Sequence, residues 1–190
     1  MLRVNRILCN ILATALEYGT APSGKVLQVI QVTKTDTQSH NGNGENNPEE
    51  YISIGLSVAI TPSSASSKIL IFANVLGSSS NNAFMTILRG TSATTLGSVS
   101  SNTNLAVPDS PSSRQPCFAG DFYHSGTASV SKQRSVTFLD SPNTTSQRIY
   151  EVGISIHSTA SFYINRSDGD TNAGWQPRAV STLTLMEIAA

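Results

Sequence analysis

The chain has 190 residues, of which 13% are charged, and 12 Lys plus Arg balance 12 Asp plus Glu. That length suits one domain with a sizeable core, while the charged share is about half of the usual ~25%, with Ser, Thr, Asn and Gly filling the gap. The even balance leaves no electrostatic footprint for nucleic acid or an anionic membrane, and no stretch reaches the roughly 18 apolar residues of a membrane span.

Residues 1–16 run basic, then apolar, then small, as a secretion signal does, but Asn10 interrupts the apolar part and Glu17 and Tyr18 follow it. The competing and preferred reading is a short amphipathic helix. Val4, Ile7, Leu8, Ile11, Leu12, Ala15 and Leu16 recur at i, i+3, i+4, i+7 spacing, and Gly19 supplies a stop. Such a short helix is marginal alone in water, so its stripe is expected to pack on its own domain, a sister subunit or a larger assembly. Residues 1–22 are therefore read as an anchor or oligomer contact, and residues 23–190 as the main domain.

After Gly19 the helical period disappears. Residues 25–32 are β-branched and apolar with Gln28 and Gln31 interleaved. Residues 33–50 are polar and rich in Asn and Gly, and read as an exposed, mobile loop. Over 51–60, Ile52, Ile54, Leu56, Val58 and Ile60 alternate with Ser53, Gly55, Ser57 and Ala59, which predicts a half-buried strand with one small-residue face. That flat face suits close packing against a sister subunit or water. Residues 68–76 are apolar on both faces and predict a central strand packed on two sides. Further strands are predicted over 83–89, 95–99, 117–123, 134–139, 148–157, 160–165 and 180–188, with a second long loop over 100–116 holding Pro108, Pro111 and Pro116. So many short strands divided by turn chemistry predict an all-β fold, an antiparallel β-sandwich of jelly-roll type with a short N-terminal amphipathic helix. No repeat of 20–50 residues, collagen or coiled-coil period occurs, so a small adaptor, tip or decoration is expected rather than a long fibre.

The residues carry little catalytic signal. His40, His124 and His157 are scattered, with no carboxylate or nucleophile at a telling spacing, and GxSxG, HExxH, P-loop and GxGxxG motifs do not occur. No enzyme activity and no cofactor are expected. Cys9 and Cys117 are too far apart in sequence for a metal knuckle or redox pair; free thiols are the first reading and a disulfide between them the second. Asp168, Asp170 and Asn172 place oxygen side chains at alternate positions, as a calcium loop begins. The downstream bidentate Glu is replaced by Ala179, however, so a turn with Asx-type hydrogen bonds is preferred. Trp175, the only tryptophan, lies among Asp170, Asn172 and Gln176 with Tyr163 nearby in sequence. These five residues are the candidate contact surface for a host sugar or protein, against the alternative that Trp175 tucks over the domain end. Val4, Ile7, Leu8, Ile11, Leu12 and Leu16 are the candidate assembly contacts. Asn143-Thr144-Thr145 and Asn165-Arg166-Ser167 match glycosylation acceptors.

Four phrases in a shared order resemble small β-sandwich virion proteins of marine tailed bacteriophages such as cyanophages, which occur as tail-fibre tips and other surface proteins. They are Gly24-Lys25-Val26-Leu27-Gln28-Val29, the run from Ile60 to Ile71 through Thr61-Pro62-Ser63-Ser64, Phe162-Tyr163-Ile164-Asn165-Arg166-Ser167, and Ser181-Thr182-Leu183-Thr184-Leu185-Met186-Glu187-Ile188. Together they reach from about residue 24 to residue 190; residues 1–20 lie outside the match. The resemblance implies a non-enzymatic virion component, a homotrimer that contacts other tail or capsid proteins. A tail or fibre protein that binds a host receptor is one reading, and a capsid decoration or head fibre is the alternative. The resemblance carries over no binding residue.

Overall fold

Among the described residues ten strands form, most of them where apolar residues alternate with small or polar ones, and Gly, Pro, Ser and Asn clusters divide them. The computed structural model describes residues 24–42, 50–98, 100–106, 108–109, 114–120, 122–123, 130–157 and 160–190. The expected N-terminal helix, with Val4, Ile7, Leu8, Ile11, Leu12 and Leu16, lies outside the described residues, as do Cys9 and His124. The strands are β1 (Val26–Lys34), β2 (Gln38–Asn41), β3 (Ile52–Ile60), β4 (Lys68–Ser79), β5 (Ala83–Gly90), β6 (Thr103–Asn104), β7 (Lys132–Asp140), β8 (Arg148–Ile156), β9 (Ser161–Ile164) and β10 (Ser181–Ile188).

They build two antiparallel sheets. One runs β1-β10-β4-β7, with β2 and β9 extending it, and the other runs β3-β8-β5-β6. The first long strand thus lies beside the last in one sheet, and the second beside the second-last in the other. This nesting is the jelly-roll order, two Greek keys folded face to face. The core fills the gap with Ile54, Leu56, Val58 and Ile60 of β3, Ile69, Ile71 and Val75 of β4, Met85 and Ile87 of β5, Tyr150, Val152 and Ile154 of β8, and Leu183 and Leu185 of β10.

The extension by β2 and β9 has a simple origin. β10 pairs with β4 opposite residues 68–74, and β9 pairs with the same edge of β4 opposite residues 77–79. Strands β9 and β10 therefore lie on one track, interrupted by the loop between them. Strands β1 and β2 follow a parallel break in the next track, pairing with β10 and β9 in turn.

Several expectations are corrected. Among the described residues strand β4 is central but covered on one face, with Phe72 exposed on the other. The strand buried on both faces is β8, because the chain from Thr94 to Asn102 folds over its outer side. The small-residue face of β3 meets that same segment at one end and water along the rest: Ser53 donates its amide to the Ser98 carbonyl and accepts from the Gly97 amide, and a Cβ on Gly55 would meet Leu96 at 3.0 Å, while Gly55 and Ala59 are exposed. Residues 95–98 form a turn, since Gly97 takes φ +77° and the Ser98 amide folds back to the Thr95 carbonyl. Instead of a strand, residues 117–123 make isolated bridges, Ala119 to Met85 and Tyr123 to Ser79. Strands β2 and β6 sit inside the two segments expected to be loops; their residues are polar because both strands lie at sheet edges, and no alternation marks them.

Buried carboxylates fasten the sheets to their turns. Glu187 on β10 is fully buried and accepts from the Ser63 amide (2.7 Å), the Ser63 hydroxyl (2.6 Å) and the Gln28 side-chain amide (2.6 Å). It ties the β3–β4 turn to β1 and β10. Glu151 on β8 accepts from the Thr94 amide and hydroxyl, the Ser100 hydroxyl and the Asn102 side-chain amide. Asp140 receives both Arg89 and the Tyr150 hydroxyl at 2.6–2.7 Å. Burial raises the Tyr150 phenol well above its ordinary pKa, and its hydrogen bond to Asp140 adds to the rise.

Burial alone would raise the Glu187 pKa, but the hydrogen bonds from Ser63 and Gln28 outweigh it and hold the group at about 2, against an ordinary value of about 4.3. A carboxyl depressed on folding stabilises fully above its unfolded pKa and loses that contribution as pH falls through the folded one. Chemical denaturation across this range should show stability falling between about pH 5 and pH 2, by on the order of 3 kcal/mol from Glu187 alone. Glu187→Gln should flatten that slope. An unchanged slope in the variant would place the acid sensitivity in other groups.

Candidate functional site

The site residues collect in the loop between β9 and β10, and Asn165 sets its base. Asn165 is fully buried with φ +59°, a conformation that Asn tolerates better than most side chains. Its side-chain amide donates to the Lys34 and Asp36 carbonyls (2.8 and 2.9 Å), and its side-chain oxygen accepts from the Ser181 hydroxyl (2.7 Å). Its backbone amide reaches the Leu76 carbonyl and its carbonyl receives the Ala179 amide. One residue, through its side chain and its backbone, therefore fills the break in both tracks and joins β1, β4, β9 and β10. The glycosylation pattern at Asn165 is a coincidence of sequence, since its amide nitrogen is spent inside the fold.

Above this base the loop closes through an antiparallel bridge between Arg166 and Arg178. Arg178 grips Asp170 with two hydrogen bonds of 2.9 and 2.8 Å. Arg166 stacks on the Tyr163 ring at 4.3 Å and donates to the Ser167 and Asp168 carbonyls. Asp170 is drawn below its ordinary pKa, first by its hydrogen bond to Arg178 and then by the charges of Arg178 and Arg166. Gln176 folds back so that its side-chain oxygen accepts the Thr171 amide at 2.5 Å, and the Gln176 amide donates to the Ala173 carbonyl. The result is an internally braced loop.

Asp170, Asn172 and Gln176 come together with Thr171, Ala173 and Arg178 around an open concavity of about 490 Å³. Trp175 stands outside that lining, 73% exposed; it does not tuck over the domain end. Tyr163 is half-buried on the stem beneath Arg166 and is not among the lining residues. Of the three oxygen ligands considered for calcium, Asp170 and Asn172 line the concavity and Asp168 does not. The Arg178 guanidinium lies against the Asp170 carboxylate, where a cation would otherwise sit. Among the described residues, no group of three acidic, His or Cys side chains is placed to hold a metal ion.

Other candidates fall elsewhere. His40 lies in β2, not in an exposed loop; its Nε2 is buried without a hydrogen-bond partner, and burial and the nearby Lys34 charge lower its pKa. Cys117 is a half-buried free thiol whose pKa burial raises. Asn165, Arg166 and Arg178 are the residues that sequence reading missed. The available signal was two arginines flanking a short Asp/Gly/Asn run, with an Asn at the point where the first strand stops.

The short connection between β1 and β2 meets this loop at Asn165. Residues 103–105 run along the edge of β5, where β6 pairs with Leu88 and Arg89 and the Leu105 amide reaches the Ile87 carbonyl.

No protein-family model and no curated protein matches the chain. Among solved structures, it is similar to a chain in the structure of infectious bursal disease virus Gx strain, at 14% identity and a TM-score of 0.40. The match covers 88% of this chain and 38% of that one.

Asn165→Ala should strand two backbone carbonyls and the Ser181 hydroxyl in a buried site and place an alanine at positive φ. A loss of about 3 kcal/mol or more is expected in denaturant unfolding. Arg178→Ala should leave the melting temperature within a degree or two, because its pair with Asp170 is largely exposed, while protease cleavage within 168–177 accelerates. A large loss of global stability in Arg178→Ala would contradict the separation of loop from core.

Proposed function

We propose that the chain is a non-enzymatic structural component of a tailed-phage virion, associated with the tail or its fibres, and that it meets a host surface glycan through the loop of residues 166–178. The single observation that carries the contact is Trp175, held out to solvent on a braced loop beside the concavity of Asp170, Asn172 and Gln176. A large aromatic face costs free energy to expose, and an exposed tryptophan beside amide and carboxylate groups is the chemistry that stacks on a sugar ring and hydrogen-bonds its hydroxyls. The rigid stem lowers the ordering cost of binding.

Jelly rolls serve viral coats and lectins alike, and a fold is a scaffold on which sites are grafted, so the loop bears the weight of this reading. The virion setting rests on the resemblance of four sequence phrases to marine tailed-phage surface proteins. A homotrimer is part of the proposal; closed rotational symmetry would set three copies of the loop around one axis and add avidity.

Two measurements test it. Gold-labelled antibody on intact particles should decorate the tail; label spread over the head would make the protein a capsid decoration instead. Because Trp175 is the only tryptophan, its fluorescence reports the loop alone. Host surface polysaccharide should shift the emission saturably, and Trp175→Ala should weaken adsorption to cells at least about tenfold. Unchanged adsorption with an intact melting transition would remove the loop from host contact.

A further inference from the structure

The outer face of the larger sheet carries a contiguous apolar row that nothing in the described residues covers. Register places Val29, Met186, Leu70 and Leu139 side by side on β1, β10, β4 and β7. Phe72 lies in the next row with Gln31, Thr184 and Thr137, and Ile188 with Val26 flanks the other side. Val29 is 55% exposed, Leu139 47%, Val26 46% and Phe72 38%. Scattered apolar residues on a surface are ordinary, but a row crossing four strands marks a surface with an occupant.

We propose that the occupant is this chain's own N-terminal segment, residues 4–16, lying across the outer face of the larger sheet. The segment enters the fold at the right corner: the Gly24 amide donates to the Ala189 carbonyl at 2.7 Å, two residues before Val26 and next to Ile188. Gly24 takes φ +78° with open space where a Cβ would lie, so its identity serves the bend and not a close contact. A bend there is what a segment returning over its own sheet needs.

The dimensions agree. As a helix, residues 4–16 would extend ~20 Å, and the row from β1 to β7 crosses three strand spacings, ~14 Å. Residues 17–23 can span up to ~23 Å, enough to reach any point on the row. The chemistry agrees too, since Val4, Ile7, Leu8, Ile11, Leu12 and Leu16 form one stripe and the sheet offers Val, Leu, Met and Phe. A helix too short to persist alone and a sheet face too apolar to stand bare each supply what the other lacks.

Hydrogen exchange with mass spectrometry on the full chain tests this. Amides of residues 4–16 should exchange on the order of tenfold or more slowly than in an unstructured peptide of the same sequence, at a concentration where light scattering gives one species and with no dependence on dilution. Phe72→Lys and Leu139→Lys, both at exposed positions, should remove that protection without lowering protection in β3 or β8. Leu96→Lys, an equally exposed change on the other sheet's cover, should not. Absence of protection in the unaltered chain overturns the proposal. Protection that fades on dilution together with dissociation also overturns it, and makes the face an interface between copies.

Discussion

The sheet depends on one buried amide. Strands β9 and β10 run on one track beside β4, and β1 and β2 on the next, and both tracks break at the same level. A broken ladder leaves carbonyls without amide partners, and a buried unpaired carbonyl costs more than a typical hydrogen bond returns. Asn165 meets that demand with both atoms of its side chain and both of its backbone groups. An aspartate could not donate, a leucine could not accept, and a β-branched residue would resist the positive φ. Because the break is sealed, twelve or more residues can leave the sheet and return without loosening the core, and the loop with Trp175 is the segment that does so.

The opposite end of the sandwich follows a different rule. There Glu187 gathers the turn after β3, and Asp140 joins Arg89 and the Tyr150 hydroxyl. Glu151 does the same work on the flank, holding the chain over β8. These groups explain how a chain with so few charges is organised. Several of the charges it has are spent inside: Glu187 and Glu151 are satisfied by hydroxyls and amides, which are abundant in the sequence, and Asp140 by a guanidinium and a phenol. A satisfied buried carboxylate fixes geometry, because moving any donor exposes an ion in a poorly solvated place.

Much of the fold was legible because apolar alternation is a direct consequence of a two-sided sheet. Strands β3, β5, β7, β8 and β10 could be read almost to the residue for that reason. Strands β2 and β6 could not, since edge strands need backbone partners and no apolar stripe, and Gln38-Ser39-His40-Asn41 looks like any polar loop. For β4, composition reports apolar residues and not their cover; Leu70 and Phe72 are apolar and face outward, with no cover among the described residues. For the site, sequence proximity grouped Asp170, Asn172 and Gln176, which line one concavity, but also drew in Tyr163, which β9 holds under Arg166. The Arg178–Asp170 grip was invisible because it depends on the loop closing at Arg166 and Arg178, a long-range outcome of the strand tracks.

The two surfaces singled out above differ in a way that bears on their roles. Trp175 is a single large aromatic raised on a loop braced by charge pairs and a glutamine, with polar groups around it. Such a surface presents hydrogen bonds together with one stacking face, which suits a hydrated partner that arrives and leaves. The row of Val29, Met186, Leu70 and Leu139 is broad, flat and without polar atoms in its side chains, so it offers area but no directional recognition. Area without direction suits a partner held at high effective concentration, where position is supplied by a tether and not by hydrogen bonds. The tether at Gly24 supplies that position for residues 4–16, whereas a free partner would have to find it by chance.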